Sequence, residues 1–215
     1  MEQQKTELVC ILDRSGSMGG LESDTIGGFN SFIEKQKQDK GDVILTTLLF
    51  DHHIEVLHDR MNLQAVSPLS ERDYYVRGNT ALLDAIGYGI EKIANVQAMS
   101  SDEHKADKVI VVITTDGMEN ASHLYRIQDI RRMIKDYTER DHWEFVFMGA
   151  NIDAVETARD FGIDPDRAVR FHNDSEGIKL NYATLDRMVK GVKDHKEFSK
   201  DWKKDIEEDF AKRTK

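Results

Sequence analysis

Apolar residues are arranged along this chain in two ways. Some form short unbroken runs; others recur every third or fourth position through longer charged stretches. The runs Leu8 to Leu12 (LVCIL), Val43 to Phe50 (VILTTLLF), Val109 to Ile113 (VIVVI) and Phe145 to Met148 predict strands buried on both faces, as in a parallel sheet. Ile54 to Leu57 alternates instead, and only Asp51-His52-His53 separates it from the run before. That spacing predicts an antiparallel hairpin. Ala168 to Phe171 predicts a weaker strand at a sheet edge.

The periodic stretches predict helices. One carries Leu21, Ile26, Phe29 and Ile33 and ends at Gly41. A second covers Ala81 to Val96, and a third is marked by Leu124, Ile127, Ile130, Ile134 and Tyr137. A short helix spans Ala154 to Phe161. The capping residues Asn173, Asp174 and Ser175 open another through Ile178, Tyr182, Leu185 and Val189. Residues 60 to 79 form the longest irregular stretch. Strands alternating with helices predict an α/β fold, a mostly parallel sheet covered on both faces.

The pattern gives no reason to divide the chain before about residue 190. Residues 5–190 are therefore assigned to one domain and 191–215 to a charged helical extension. In the extension, Phe198, Trp202, Ile206 and Phe210 are four apart, one apolar stripe on an otherwise charged helix. The stripe is expected to pack on the domain's own surface. Its alternative is a helix that binds a partner or a second copy.

Composition narrows the function. A net charge of −10 argues against nucleic acid, whose affinity comes largely from Lys and Arg on phosphates. The single cysteine, Cys10, rules out a disulfide within the chain and a cysteine-rich zinc site. No apolar run approaches the roughly 20 residues needed to span a bilayer, and the start of the chain lacks an apolar signal core. The expected location is the cytoplasm, with no membrane partner.

Two strand ends carry an acid: Asp13 after LVCIL and Asp116 after VIVVI. If these strands are neighbours, their carboxylates converge at the carboxyl edge of the sheet, where ligands bind in such folds. Two carboxylates brought that close repel each other unless a cation lies between them. Ser15 and Ser17 follow Asp13 at alternate positions in a glycine-containing loop. All these donors are oxygen, which selects hard cations over zinc.

Asp13-Arg-Ser-Gly-Ser, Gly78-Asn-Thr80-Ala-Leu-Leu-Asp-Ala-Ile and Thr115-Asp116-Gly117 together resemble the three-part metal-ion-dependent adhesion site of von Willebrand factor A domains. The parts occur in the family's order and in its structural contexts, and intracellular single-domain bacterial members are the nearest in kind. The resemblance implies a Rossmann-like, doubly wound sheet of six strands with one antiparallel edge strand. It implies a metal site at Asp13, Ser15, Ser17, Thr80 and Asp116 that holds Mg²⁺ or Mn²⁺ in preference to Ca²⁺. The hydroxyls would ligate and the carboxylates would act largely through water. The expected function is capture of a partner protein's Glu or Asp, not catalysis.

Two other functions compete with it. One is a structural subunit of an assembly in which the metal is incidental. The other is a Mg²⁺-dependent phosphohydrolase with Asp13 as nucleophile. That class needs a second Asp two residues on, where this chain has Ser15. Glu119 is expected to add negative charge to the first turn of the helix that follows; its alternative is to reach a metal-bound water. His52, His53 and His58 are expected to be exposed hairpin residues. Tyr74 and Tyr75 border the site, either packing the loop or facing a partner.

Overall fold

The computed structural model describes residues 4–39, 41–150, 153–193 and 200–214. Six strands form one sheet in the order β3-β2-β1-β4-β5-β6. They are β1 (Lys5–Asp13), β2 (Asp42–Phe50), β3 (Ile54–Asn62), β4 (Lys108–Thr115), β5 (Glu144–Ala150) and β6 (Ala168–Phe171). Only β3 is antiparallel, paired with β2 at the edge. The six-stranded, doubly wound arrangement expected from the motifs is therefore the one observed.

Side chains along a strand alternate between its faces, so β1 feeds two cores. Leu8, Cys10 and Leu12 pack with Phe29, Phe32 and Ile33 of α1 (Glu22–Gln38) and with Tyr182, Leu185 and Val189 of α5 (Ser175–Lys193). Val9 and Ile11 pack on the other face with Ile86, Ile90 and Ile93 of α2 (Leu82–Met99). Ile130 and Ile134 of α3 (Ile127–Asp141) and Ala154 and Ala158 of α4 (Ala154–Asp160) complete that layer. Helices α1 and α5 meet closely: a Cβ at Gly28 would lie 2.3 Å from the Tyr182 ring.

The topology determines where a ligand can sit. From β1 the chain crosses by α1 to β2 on one side, and the return by α2 enters β4 on the other. The crossovers lie on opposite faces, so a crevice opens at the carboxyl ends of β1 and β4. These strands pair in register through Leu12 and Thr114, which puts Asp13 beside the Thr115-Asp116 turn.

Of the extension's stripe, Phe198 lies outside the described residues. Trp202 and Ile206 are buried in the α1/α5 core, and the Trp202 indole donates to the Asp166 carbonyl at 2.8 Å. Phe210, on α6 (Lys204–Arg213), stacks on His172 with ring centres 4.4 Å apart. Among the described residues, no helix is long and apolar enough to cross a membrane.

Three local expectations are corrected. Leu124 lies outside α3 and is 76% exposed. The Asp84 carboxylate accepts the backbone N–H groups of His123, Leu124 and Tyr125, which holds these residues in a loop. Strand β3 runs on to Asn62, and this carries His58 inward to 7% exposure, stacked on Phe29 and bonded to Thr47. Glu119 precedes α3 by several residues. It accepts from the Leu83 N–H in the first turn of α2 and from the Ala121 and Ser122 N–H groups. Its charge thus supports the amino end of α2.

Candidate metal centre

Asp13, Ser15, Thr80 and Asp116 are all buried, and Ser17 opens to the surface. The three hydroxyls meet. Thr80 Oγ1 donates to Ser15 Oγ at 3.0 Å, and Ser17 Oγ lies 3.0 Å from the same oxygen. The structure thus gathers all five residues singled out from the sequence at one edge of the sheet.

Each is held from behind. Asp13 Oδ1 accepts the Ser15 N–H at 2.7 Å, which curls the loop back on itself. Asp13 Oδ2 accepts the Thr115 hydroxyl at 2.5 Å, tying the ends of β1 and β4. The Tyr74 hydroxyl donates to the Asp13 carbonyl at 2.5 Å. Thr80 is fixed at both backbone groups: its N–H donates to Asn120 Oδ1, and its carbonyl accepts from the Asn120 and Ala121 N–H groups. The Gly16 N–H donates to the Gly78 carbonyl, joining the first and second motif segments.

Asp116 is held differently. Its Oδ2 accepts from the Asn173 side-chain amide at 2.7 Å. Its Oδ1 is buried and has no hydrogen-bond partner among the described residues. A buried carboxylate oxygen with no hydrogen-bond partner is rare in native structures, and a bound cation is one way to satisfy it.

The electrostatics agree. Burial pushes the Asp13 carboxyl up to about 6, against the hydrogen bonds from Thr115 and Ser15, with the Asp116 charge adding to the rise. Burial also raises the Asp116 carboxyl, against hydrogen bonds from Ser17 and Asn173. Among the described residues, neither carboxylate has a compensating positive charge.

There is also room for an ion. At Gly117, a Cβ would stand 2.8 Å from Thr80 Oγ1 and 3.0 Å from Ser17 Oγ. The absent side chain leaves space where the hydroxyls converge. Among the described residues, no three His, Cys, Asp or Glu side chains form a metal cluster. What is gathered here is hydroxyls in front of two carboxylates. This all-oxygen set fits a hard divalent cation.

Several supporting residues carry no signal in the sequence. Arg14, the variable position of Asp-x-Ser-x-Ser, is completely buried and pairs with Asp51 at 3.0 Å and Glu55 at 2.8 Å. Asp51 also accepts from Arg77 at 2.7 Å. Burial pushes the Asp51 carboxyl up, but the Arg77 and His53 hydrogen bonds and the arginine charges outweigh it and hold the carboxyl below its usual range. Tyr75 is exposed, with the Arg14 and Arg77 guanidiniums 5.1 and 5.2 Å from its ring centre. The two tyrosines therefore divide the two expected roles: Tyr74 pins the loop and Tyr75 faces outward. His52 and His53 are exposed as expected, their rings in contact with centres 4.2 Å apart.

No protein-family model matches the sequence, and no curated protein matches it significantly. Solved structures do match. A von Willebrand factor type A protein from Catenulispora acidiphila superposes with a TM-score of 0.59 at 13% identity, over 88% of this chain and 43% of that one. Proximal thread matrix protein 1 from the mussel byssus, solved with a zinc-occupied MIDAS motif, gives 0.56 at 13% identity, over 87% and 46%. The SpRpn10 VWA domain gives 0.53 at 13% identity, over 86% of this chain and 95% of that domain. The chain thus spans under half of the first two and nearly all of the third. At such identities the likeness establishes the fold: this is a von Willebrand factor A fold.

Proposed function

We propose that this chain is a metal-dependent protein-binding module, and that Ser15, Ser17 and Thr80 hold one Mg²⁺ or Mn²⁺ with Asp13 and Asp116 behind them. The observation that carries this reading is the convergence of three hydroxyls within 3.0 Å contacts, together with a buried Asp116 Oδ1 that has no hydrogen-bond partner among the described residues. A cation ligated mainly by neutral hydroxyls keeps much of its positive charge, and it offers an open position to an anionic oxygen. A Glu or Asp side chain of a partner protein supplies that oxygen. The cytoplasm is the compartment this reading assigns, where Mg²⁺ is plentiful and the single cysteine, Cys10, stays a buried thiol.

Binding is preferred over phosphohydrolase chemistry for a reason visible at Asp13. Both of its carboxylate oxygens are engaged, by Ser15 N–H and Thr115 Oγ1, and the residue is 2% exposed. An oxygen that attacks a substrate must stand open to it, and at this burial neither does. A structural subunit with an incidental metal is separated from the module by one experiment. Affinity capture from source-cell lysate is run in Mg²⁺ and in EDTA, with wild type and Asp116→Ala. The expected result is a partner retained only by wild type in Mg²⁺. Partners held equally in all conditions would contradict the proposal.

A further inference from the structure

The segment between β6 and α5 lies far in sequence from all three motif segments, yet it reaches the metal centre. Asn173 Nδ2 donates to Asp116 Oδ2 across 57 residues of sequence. A carboxylate held at one oxygen has its second oxygen fixed as well, since both lie in one plane. Here the second oxygen is Oδ1, buried and without a hydrogen-bond partner among the described residues.

Asn173 is itself held from both sides. The next residue, Asp174, caps α5 by accepting the Gly177 N–H at 2.8 Å. Arg213, at the end of α6, donates to Asp174 Oδ2 at 2.6 Å and is anchored by Asp209, also at 2.6 Å. The residue before, His172, is stacked on Phe210 of α6. At Gly177 even a Cβ would lie 2.0 Å from the His172 carbonyl, so the turn is tightly closed. A continuous path of contacts therefore runs from the C-terminal helix, through His172 and Asp174, to Asn173 and Asp116.

We infer that Asn173 is a positioning residue of the metal centre, which aims Asp116 Oδ1 at the cation, and that α6 holds Asn173 in place. The inference rests on the metal reading above and assigns its control to residues outside all three motif segments. Groups that orient metal ligands typically change affinity by 10- to 100-fold when removed. Arg213 acts one contact further away, so its effect is smaller and has the same sign.

The test is titration of the full-length chain with Mn²⁺, followed by the electron paramagnetic resonance signal of the free ion. Wild type, Asn173→Ala, Asn173→Gln and Arg213→Ala are compared, with thermal unfolding of each in EDTA. The inference expects about 10-fold weaker Mn²⁺ binding in Asn173→Ala, partial recovery in Asn173→Gln and a weaker loss in Arg213→Ala. Unfolding of Asn173→Ala in EDTA should stay close to wild type. Equal Mn²⁺ affinity in wild type and Asn173→Ala would overturn the inference and leave the metal site standing. Absence of binding by wild type would overturn the metal reading and this inference with it. If Asn173→Ala fails to fold, the affinities of Asn173→Gln and Arg213→Ala decide, and wild-type values in both would overturn the inference.

Discussion

Replacing Arg14 by alanine is expected to destabilise the fold by about 3–5 kcal/mol, the usual cost of removing one partner from a buried ion pair. In a chain of this size that lowers the unfolding midpoint by roughly 10 °C. The position is the variable one of Asp-x-Ser-x-Ser, where a motif reading would expect tolerance. The structure gives its side chain one task, which alanine loses, and its backbone two, which alanine keeps. Its guanidinium pairs with Asp51, which is completely buried, and with Glu55. Its N–H donates to the Phe50 carbonyl. Its carbonyl accepts the Arg77 N–H, tying the metal loop to the segment that delivers Thr80. Without the side chain, Asp51 keeps a buried charge with Arg77 as its chief remaining cation. Arg14→Lys should recover only part of the loss, since an ammonium cannot present the two-sided fork that reaches both acids. Urea denaturation measures the effect. A loss under about 1 kcal/mol would show the network to be no stronger than an exposed ion pair.

Asp13→Asn is expected to make the metal-free protein more stable near pH 8 while abolishing its response to Mg²⁺. The cause is the carboxyl's position near 6 in the folded chain against its ordinary 3.8, which costs the folded state on the order of 3 kcal/mol once ionised. Because the folded carboxyl is the harder one to ionise, the folded state keeps its proton where the unfolded state has lost it. This group's contribution to stability therefore falls as pH rises from about 4 to about 6, and is flat above. Asparagine has no proton to lose, so that slope should vanish. A bound divalent cation reverses the sign, since it favours the ionised form. At about 100 times its dissociation constant the ion should add about 2.7 kcal/mol to wild type. Thermal unfolding from pH 4 to 8, with Mg²⁺ and with EDTA, measures both effects. An Asp13→Asn protein less stable than wild type in EDTA at pH 8 would show that the carboxylate is not under strain.

The strands, most of the helices and both strand-end acids were legible in the sequence, because each leaves a local signal. Val109 to Ile113 predicts a central strand whatever surrounds it, and the alternating oxygens of Asp13, Ser15 and Ser17 already suggest a cation. The residues that organise the site have no such signal. Asn173 looks like an ordinary helix-capping residue, and its amide meets Asp116 only once α5 is packed. Asp84 and Glu119 accept backbone N–H groups about 35 to 40 residues away along the chain, a pairing that periodicity does not encode. Leu124 shows the opposite error. It continues the helical spacing of Ile127 and Ile130, yet Asp84 binds the N–H groups around it and keeps it in a loop. Local pattern reports which side chains can face the core. Long-range polar bonds, which depend on topology, decide which loops are rigid.

The central claim is that hydroxyls of the first two motif segments and the carboxylate of the third form one hard-cation site. Isothermal titration of metal-free protein with Mn²⁺ at pH 7.5, on wild type and Asp116→Ala, tests it most directly. The account predicts one ion per wild-type chain, displaced by Mg²⁺, and no saturable binding in Asp116→Ala. No binding by wild type, or equal binding by the variant, would contradict it.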